Sequence, residues 1–142
     1  QRVHSSEIIT RHLLFILMAV VSSLIVVSCK DKGPDTAAIA AHAAKGYYDQ
    51  LLHGDYKAFV EGTYHPERIP DNYREQLETA AKMFMAQQQV DHRGIKSVKV
   101  QGCDADTAAH VANAYLIFSY GDSTEERVCV PMVESRGTWY LR

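Results

Sequence analysis

The chain has 142 residues, room for one modest domain. With 46% hydrophobic and 23% charged residues, it is neither a disordered tail nor a collagen-like rod. Its net charge is −2 and its basic residues are scattered, which excludes the electrostatic footprint of a nucleic-acid-binding protein.

Residues 1–12 are polar and include Arg2, Arg11 and two histidines, His4 and His12. The run from Leu13 to Val27 is apolar except for Ser22 and Ser23. It is shorter than the roughly 20 residues that cross a bilayer as a helix. A charged start, a short apolar run and an abrupt polar end are the layout of a secretory signal. The run stops at Ser28-Cys29-Lys30-Asp31, and Val26-Val27-Ser28-Cys29 resembles a bacterial lipobox. That resemblance implies diacylglycerol on the Cys29 thiol, cleavage between Ser28 and Cys29, and a mature protein that begins at Cys29. It places the protein in a bacterial cell envelope, with the outer membrane the foremost site and the membrane itself a partner. Each buried CH₂ contributes about 0.8 kcal/mol, so two or three acyl chains anchor stably where one does not.

The charged tail that follows, with its Gly33-Pro34 break, reads as a flexible tether. The expected organisation is therefore a signal over 1–28, a tether over 29–36 and a domain over 37–142. The signal carries Arg2, Glu7 and Arg11, a net +1, which leaves −3 for the 114 residues behind it. The sequence starts at Gln1 and not at a methionine, and a natural start upstream of it is expected.

Asp35 or Thr36 can cap a first helix, in which Ile39, Ala43, Tyr47 and Leu51 recur at helical spacing with Ala40, Ala44 and Tyr48 beside them. Gly54 supplies the residue for its C-terminal reversal. Asp55 can cap a short second helix carrying Tyr56, Phe59 and Val60. Pro66 and Pro70 mark a loop. Asp71 is a candidate cap for a third helix whose expected apolar face is Tyr73, Leu77, Ala80, Ala81 and Phe84.

After Gly94 the period changes to alternation. Strands are expected over 95–101, 108–120, 125–133 and 138–142, with turns at Gly121-Asp122 and Ser135-Arg136-Gly137. Helices followed by a meander give an α+β fold: N-terminal helices packed on one face of a curved antiparallel sheet of about four strands.

With that layout the chain resembles the small nuclear transport factor 2-like domains (cystatin-like cones) of bacterial lipoproteins. The resemblance rests on Gly46-Tyr47-Tyr48-Asp49-Gln50-Leu51-Leu52-His53-Gly54-Asp55-Tyr56, on Tyr120-Gly121-Asp122 and on Gly137-Thr138-Trp139-Tyr140-Leu141. It implies a sheet wrapped around a long helix, and it includes isomerases, dehydratases, ligand carriers and dimerisation modules. The long central strand offers His110, Asn113 and Tyr115 but no carboxylate to match the aspartate base of the family's isomerases.

Eight tyrosines and one tryptophan are many for this length. Tyr47, Tyr48, Leu51, Tyr115 and Trp139 are the candidates to line a gap between the first helix and the sheet, where hydroxyls would orient a small apolar ligand or simply edge the core. Cys103 and Cys129 fall on the first and third strands, roughly 9.6 Å apart if the second strand separates them and beyond the reach of a disulfide, unless Cys103 lies past the strand end and folds over. His42 and His53 share a helix face but lie roughly 16 Å apart along its axis. No histidine pair has the spacing of a helical zinc site, so neither a metal nor a cofactor is expected. There is no nucleophile elbow and no phosphate loop. The sequence thus favours a lipid-anchored, non-catalytic domain that takes a small apolar ligand, a protein partner or a second copy of itself. The alternative is a small isomerase or dehydratase using Tyr47, Tyr115 or His110 in a cone pocket.

Overall fold

A computed structural model describes residues 35–142. The expected signal, the lipidation site Cys29 and residues 29–34 of the expected tether lie outside them. The described part contains helices α1 (Thr36–Leu52), α2 (Tyr56–Glu61) and α3 (Asp71–His92). Strands β1 (Ile95–Asp106), β2 (Val111–Tyr120), β3 (Glu125–Ser135) and β4 (Thr138–Leu141) follow. This is the expected α+β order, with a four-stranded antiparallel sheet arranged β1-β2-β3-β4.

Two helix starts are set by aspartates. Asp35 Oδ1 accepts the amide of Ala37 at 3.1 Å, and Asp55 Oδ1 accepts that of Ala58 at 3.0 Å. α1 thus opens at Thr36, where a helix start was expected. The third start differs from expectation. Asp71 is the first residue inside α3, behind Pro70, and no side chain caps that end. Pro70 holds extended backbone (φ −61°, ψ 150°), so the helix can only begin after it.

The buried stripe of α1 is centred on the Ala40 and Ala44 side of the expected one. Ala40, Ala41 and Ala44 are buried against the sheet, whereas Ile39 is exposed. Small side chains on that face let the helix axis approach the strands closely. α1 lies chiefly against β1, with lesser contact to β2 and β4. Val98, Ala114, Leu116, Phe118, Val130, Met132, Trp139 and Leu141 complete the core from the inner face of the sheet. The alternation is cleanest in β2, where even-numbered residues from Ala112 to Tyr120 are buried and odd-numbered ones are not.

The apolar face expected of α3 is largely uncovered. Only Ala81 is buried, and Tyr73 and Phe84 keep 44% and 41% of their surface exposed. The helix touches α2 and the start of the sheet only lightly. Its C-terminus is fixed instead by backbone: Arg93 turns left-handed (φ 60°) and Gly94 N–H donates to the Gln88 carbonyl at 3.0 Å.

β1 runs five residues further than expected, to Asp106, with register shifts at Ile95/Ser97 and Val100/Gly102. Such bulges bend and twist a strand, so they curve the sheet toward the helix. The alternation expected over 95–101 is broken by the first of them, since the buried residues are Ile95 and Val98, three apart. At the other edge, β3 and β4 are joined by Arg136-Gly137, both at positive φ (53° and 81°), the geometry of a tight two-residue hairpin. The chain after α2 then lies along β4. Leu141 N–H donates to the Gly62 carbonyl at 2.8 Å and Tyr64 N–H to the Leu141 carbonyl at 2.6 Å, making a short parallel bridge at Thr63.

Candidate functional site

The five expected pocket residues do not share one site. Tyr47 and Tyr48 project from α1. The Tyr47 hydroxyl donates to the Trp139 carbonyl at 2.6 Å, and its ring lies so close to Gly62 that a Cβ there would collide with it. Tyr48 packs between Phe59 and Phe118, with ring centroids 5.5 and 5.2 Å away. Trp139 is buried in the core, and Leu51 is buried apart from the main cluster, as are Val60 of α2 and Ala81 of α3. The space between α1 and the sheet is therefore filled by side chains.

Tyr115 belongs to the opposite face of the sheet. Its hydroxyl donates to Asp104 Oδ2 at 3.2 Å, its ring lies 4.7 Å from the Arg127 guanidinium carbon, and Cys129 is its cross-strand neighbour. His110 sits in the β1–β2 turn at φ 56°, with Nδ1 3.2 Å from Glu134 Oε2. Tyr47, Tyr115 and His110 thus occupy three separate places and cannot act on one substrate atom.

Four tyrosines have their pKa raised. Burial raises the pKa of Tyr47 and Tyr48. Burial, followed by the hydrogen bond to Glu126, pushes Tyr120 up to about 12. The hydrogen bond to Asp104 raises Tyr115. Cys103, paired with Ala114 on the inner side, has its thiol raised by burial first and then by the Asp104 and Asp35 carboxylates, the opposite of an activated nucleophile. Cys103 and Cys129 are both free thiols. The residues they flank on β2, Ala114 and Tyr115, point to opposite faces, which explains why no bridge forms. Among the described residues, no three histidine, cysteine, aspartate or glutamate side chains come together as metal ligands would. Nor is any described helix long and apolar enough to cross a membrane.

The open space lies elsewhere. A cavity of about 490 Å³ opens between the α2–α3 loop, the start of α3 and the β3–β4 hairpin. Its walls include Val60, Tyr64, Ile69 and Tyr140, and its polar rim includes Glu61, His65, Glu67, Arg68, Arg74 and Arg136. The Tyr64 and Tyr140 rings are 6.1 Å apart. Thr63 Oγ1 donates to the Val60 carbonyl at 2.5 Å and lies 2.9 Å from His65 Nε2, which fixes the loop's first turn. Arg74 Nη1 is 3.7 Å from Glu61 Oε1, beyond hydrogen-bond length, while its Nε is buried with no partner among the described residues. Leaving such a donor unmatched costs about 1–3 kcal/mol. A volume of this size suits a small-molecule ligand, for which roughly 300–1,000 Å³ is usual.

Sequence reasoning passed over this cavity. Its residues come from a loop recognised only by Pro66 and Pro70 and from a hairpin about seventy residues further on. The parallel bridge that joins them leaves no local pattern in the sequence. The one readable sign was Glu67-Arg68 between the two prolines, charged residues on a constrained loop.

No family model matches the sequence, and no curated protein matches it. The fold is similar to that of solved structures to different degrees. One is a putative nuclear transport factor 2-like transpeptidase from Campylobacter jejuni, 14% identical, covering 69% of this chain and 92% of that one with a TM-score of 0.55. Another is a SEC-C motif containing protein from Rhodopseudomonas palustris, 15% identical over 70% of this chain and 71% of that one, with a TM-score of 0.46. The chain has a nuclear transport factor 2-like fold, as the sequence resemblance implied. Likeness at this identity extends to the fold and not to activity.

Proposed function

We propose that this chain is a bacterial envelope lipoprotein whose folded domain binds a small molecule without transforming it. In this reading the leader 1–28 is removed, the Cys29 thiol carries the lipid, and a short tether joins it to α1. The outer membrane is the proposed location. The support for the anchor is the sequence: an apolar run too short to span, ending on Val26-Val27-Ser28-Cys29.

One observation carries the binding role. The interior beneath α1, where an isomerase or dehydratase of this fold would work, is packed with side chains, and no polar or charged residue among those described is buried. An open cavity lined by Val60, Ile69, two tyrosines and several charged residues lies beside it instead. General acid–base chemistry needs a group held within hydrogen-bond reach of the reacting atom, and Tyr47, Tyr115 and His110 are dispersed. The test is native mass spectrometry of the protein extracted from membranes. A non-covalent small molecule, displaced when Thr138→Trp fills the cavity, is expected. Retention of the same molecule by that variant, correctly folded, would contradict the assignment of the cavity.

A further inference from the structure

We infer that the ligand of this cavity carries a single carboxylate on an apolar or aromatic body; this rests on the cavity being the binding site. Three arginines reach its rim from three different elements: Arg68 from the loop, Arg74 from the first turn of α3, and Arg136 from the β3–β4 turn. Glu61 and Glu67 oppose them, leaving one positive charge in excess. That balance fits a monoanion and disfavours a phosphate dianion, which two rim glutamates would repel. Arg74 supplies the specific contact. Its Nε–H is closed off from solvent, and Glu61 stands too far away at 3.7 Å to hold Nη1 by a hydrogen bond, so the terminal Nη groups are the donors left for a ligand. A carboxylate accepts from the two Nη groups together in the planar, two-pronged arrangement that an ammonium cannot offer.

The rest of the cavity selects the body of the ligand. Ile69 and Val60 give an apolar wall, and the Tyr64 and Tyr140 rings give two aromatic faces. The site is therefore amphipathic, like its ligand: one charge at the arginines, and an apolar group lying on the aromatic faces.

The full chain, ¹⁵N-labelled and held in detergent, is titrated with 3-phenylpropionate, with its neutral amide 3-phenylpropanamide, and with inorganic phosphate. The carboxylate is expected to shift the amides of 62–69 and 138–140 and to bind at least about tenfold more tightly than either comparator, a difference of about 1.4 kcal/mol. Arg74→Gln is expected to abolish that preference, and Arg74→Lys to restore only part of it. Arg136→Gln, on an exposed turn, guards against a folding defect at Arg74 and is expected to weaken the carboxylate severalfold with an unchanged amide spectrum elsewhere. Equal binding of acid and amide in the cavity overturns the inference while leaving a binding site there. Tighter binding of phosphate overturns it in favour of a dianion. If no compound shifts the cavity amides at millimolar concentration, both the inference and the binding reading fall.

Discussion

Tyr47 links three parts of the chain through one side chain. Its ring fills the space that Gly62 leaves, and its hydroxyl donates to the carbonyl of Trp139 on the last strand. Tyr47→Phe should lower stability by about 0.5–1.5 kcal/mol, the net contribution of one such hydrogen bond. Gly62→Ala should lower it by about 1–3 kcal/mol through overpacking against the ring. Urea unfolding of both variants measures the two effects. Combining Gly62→Ala with a smaller residue at 47 should recover part of the loss, because the sites are in contact.

Two ionisable residues of the β2–β3 hairpin give opposite pH signatures. Asp122 has its pKa lowered, chiefly by the hydrogen bonds from the Thr124 hydroxyl and amide. A carboxyl held down in this way favours the folded state at neutral pH, and the advantage disappears as pH falls through its depressed pKa. NMR titration should find Asp122 below the ordinary aspartate range, and Thr124→Ala should move it partly back. Tyr120 is raised to about 12, so its contribution is complete below the unfolded tyrosine value near 10 and is lost as pH climbs toward 12. Tyr120→Phe should lose less stability over that alkaline interval than the parent chain.

Asp55 and Asp71 separate two ways in which a carboxylate supports a helix. Asp55 caps α2 with a direct hydrogen bond, whereas Asp71 sits within the uncapped first turn of α3 and acts only through charge. Asp55→Ala should cost about 1 kcal/mol in low and high salt alike. The effect of Asp71→Ala should be smaller and fade in 1 M salt, where screening acts within about 3 Å. Thermal unfolding at two salt concentrations distinguishes them.

The elements differ in how plainly the sequence announced them. α1 and α2 were legible because Asp35, Asp55 and Gly54 are local signals, and β2 because its alternation is unbroken from Val111 to Tyr120. The end of β1 was not, because a bulge before Gly102 shifts the period by one residue. The face of α3 was misjudged because periodicity reports amphipathicity and not the presence of something to pack against. The same limit applied to the expected pocket. Tyr115 is aromatic and lies on the central strand, but its odd position in β2 puts it on the face away from α1. The cavity that is open depends on residues far apart in sequence, and no local rule brings Arg74 and Arg136 together.

At the scale of the whole molecule, the proposed protein is a domain with a filled interior and a side cavity, joined to a membrane through one modified cysteine. Such a role would need no catalytic group, and the proposed tether would keep the cavity near the membrane surface. The fold is shared with proteins of many activities, so the leader and Cys29 carry the statement about where this one operates. Intact-mass spectrometry of the chain extracted from bacterial membranes tests that statement directly. A polypeptide beginning at Cys29 and heavier than its sequence by a diacylglyceryl group, with or without a further acyl chain, is the expected result. A chain that still carries residues 1–28, or one that begins at Cys29 with an unmodified thiol, would contradict it.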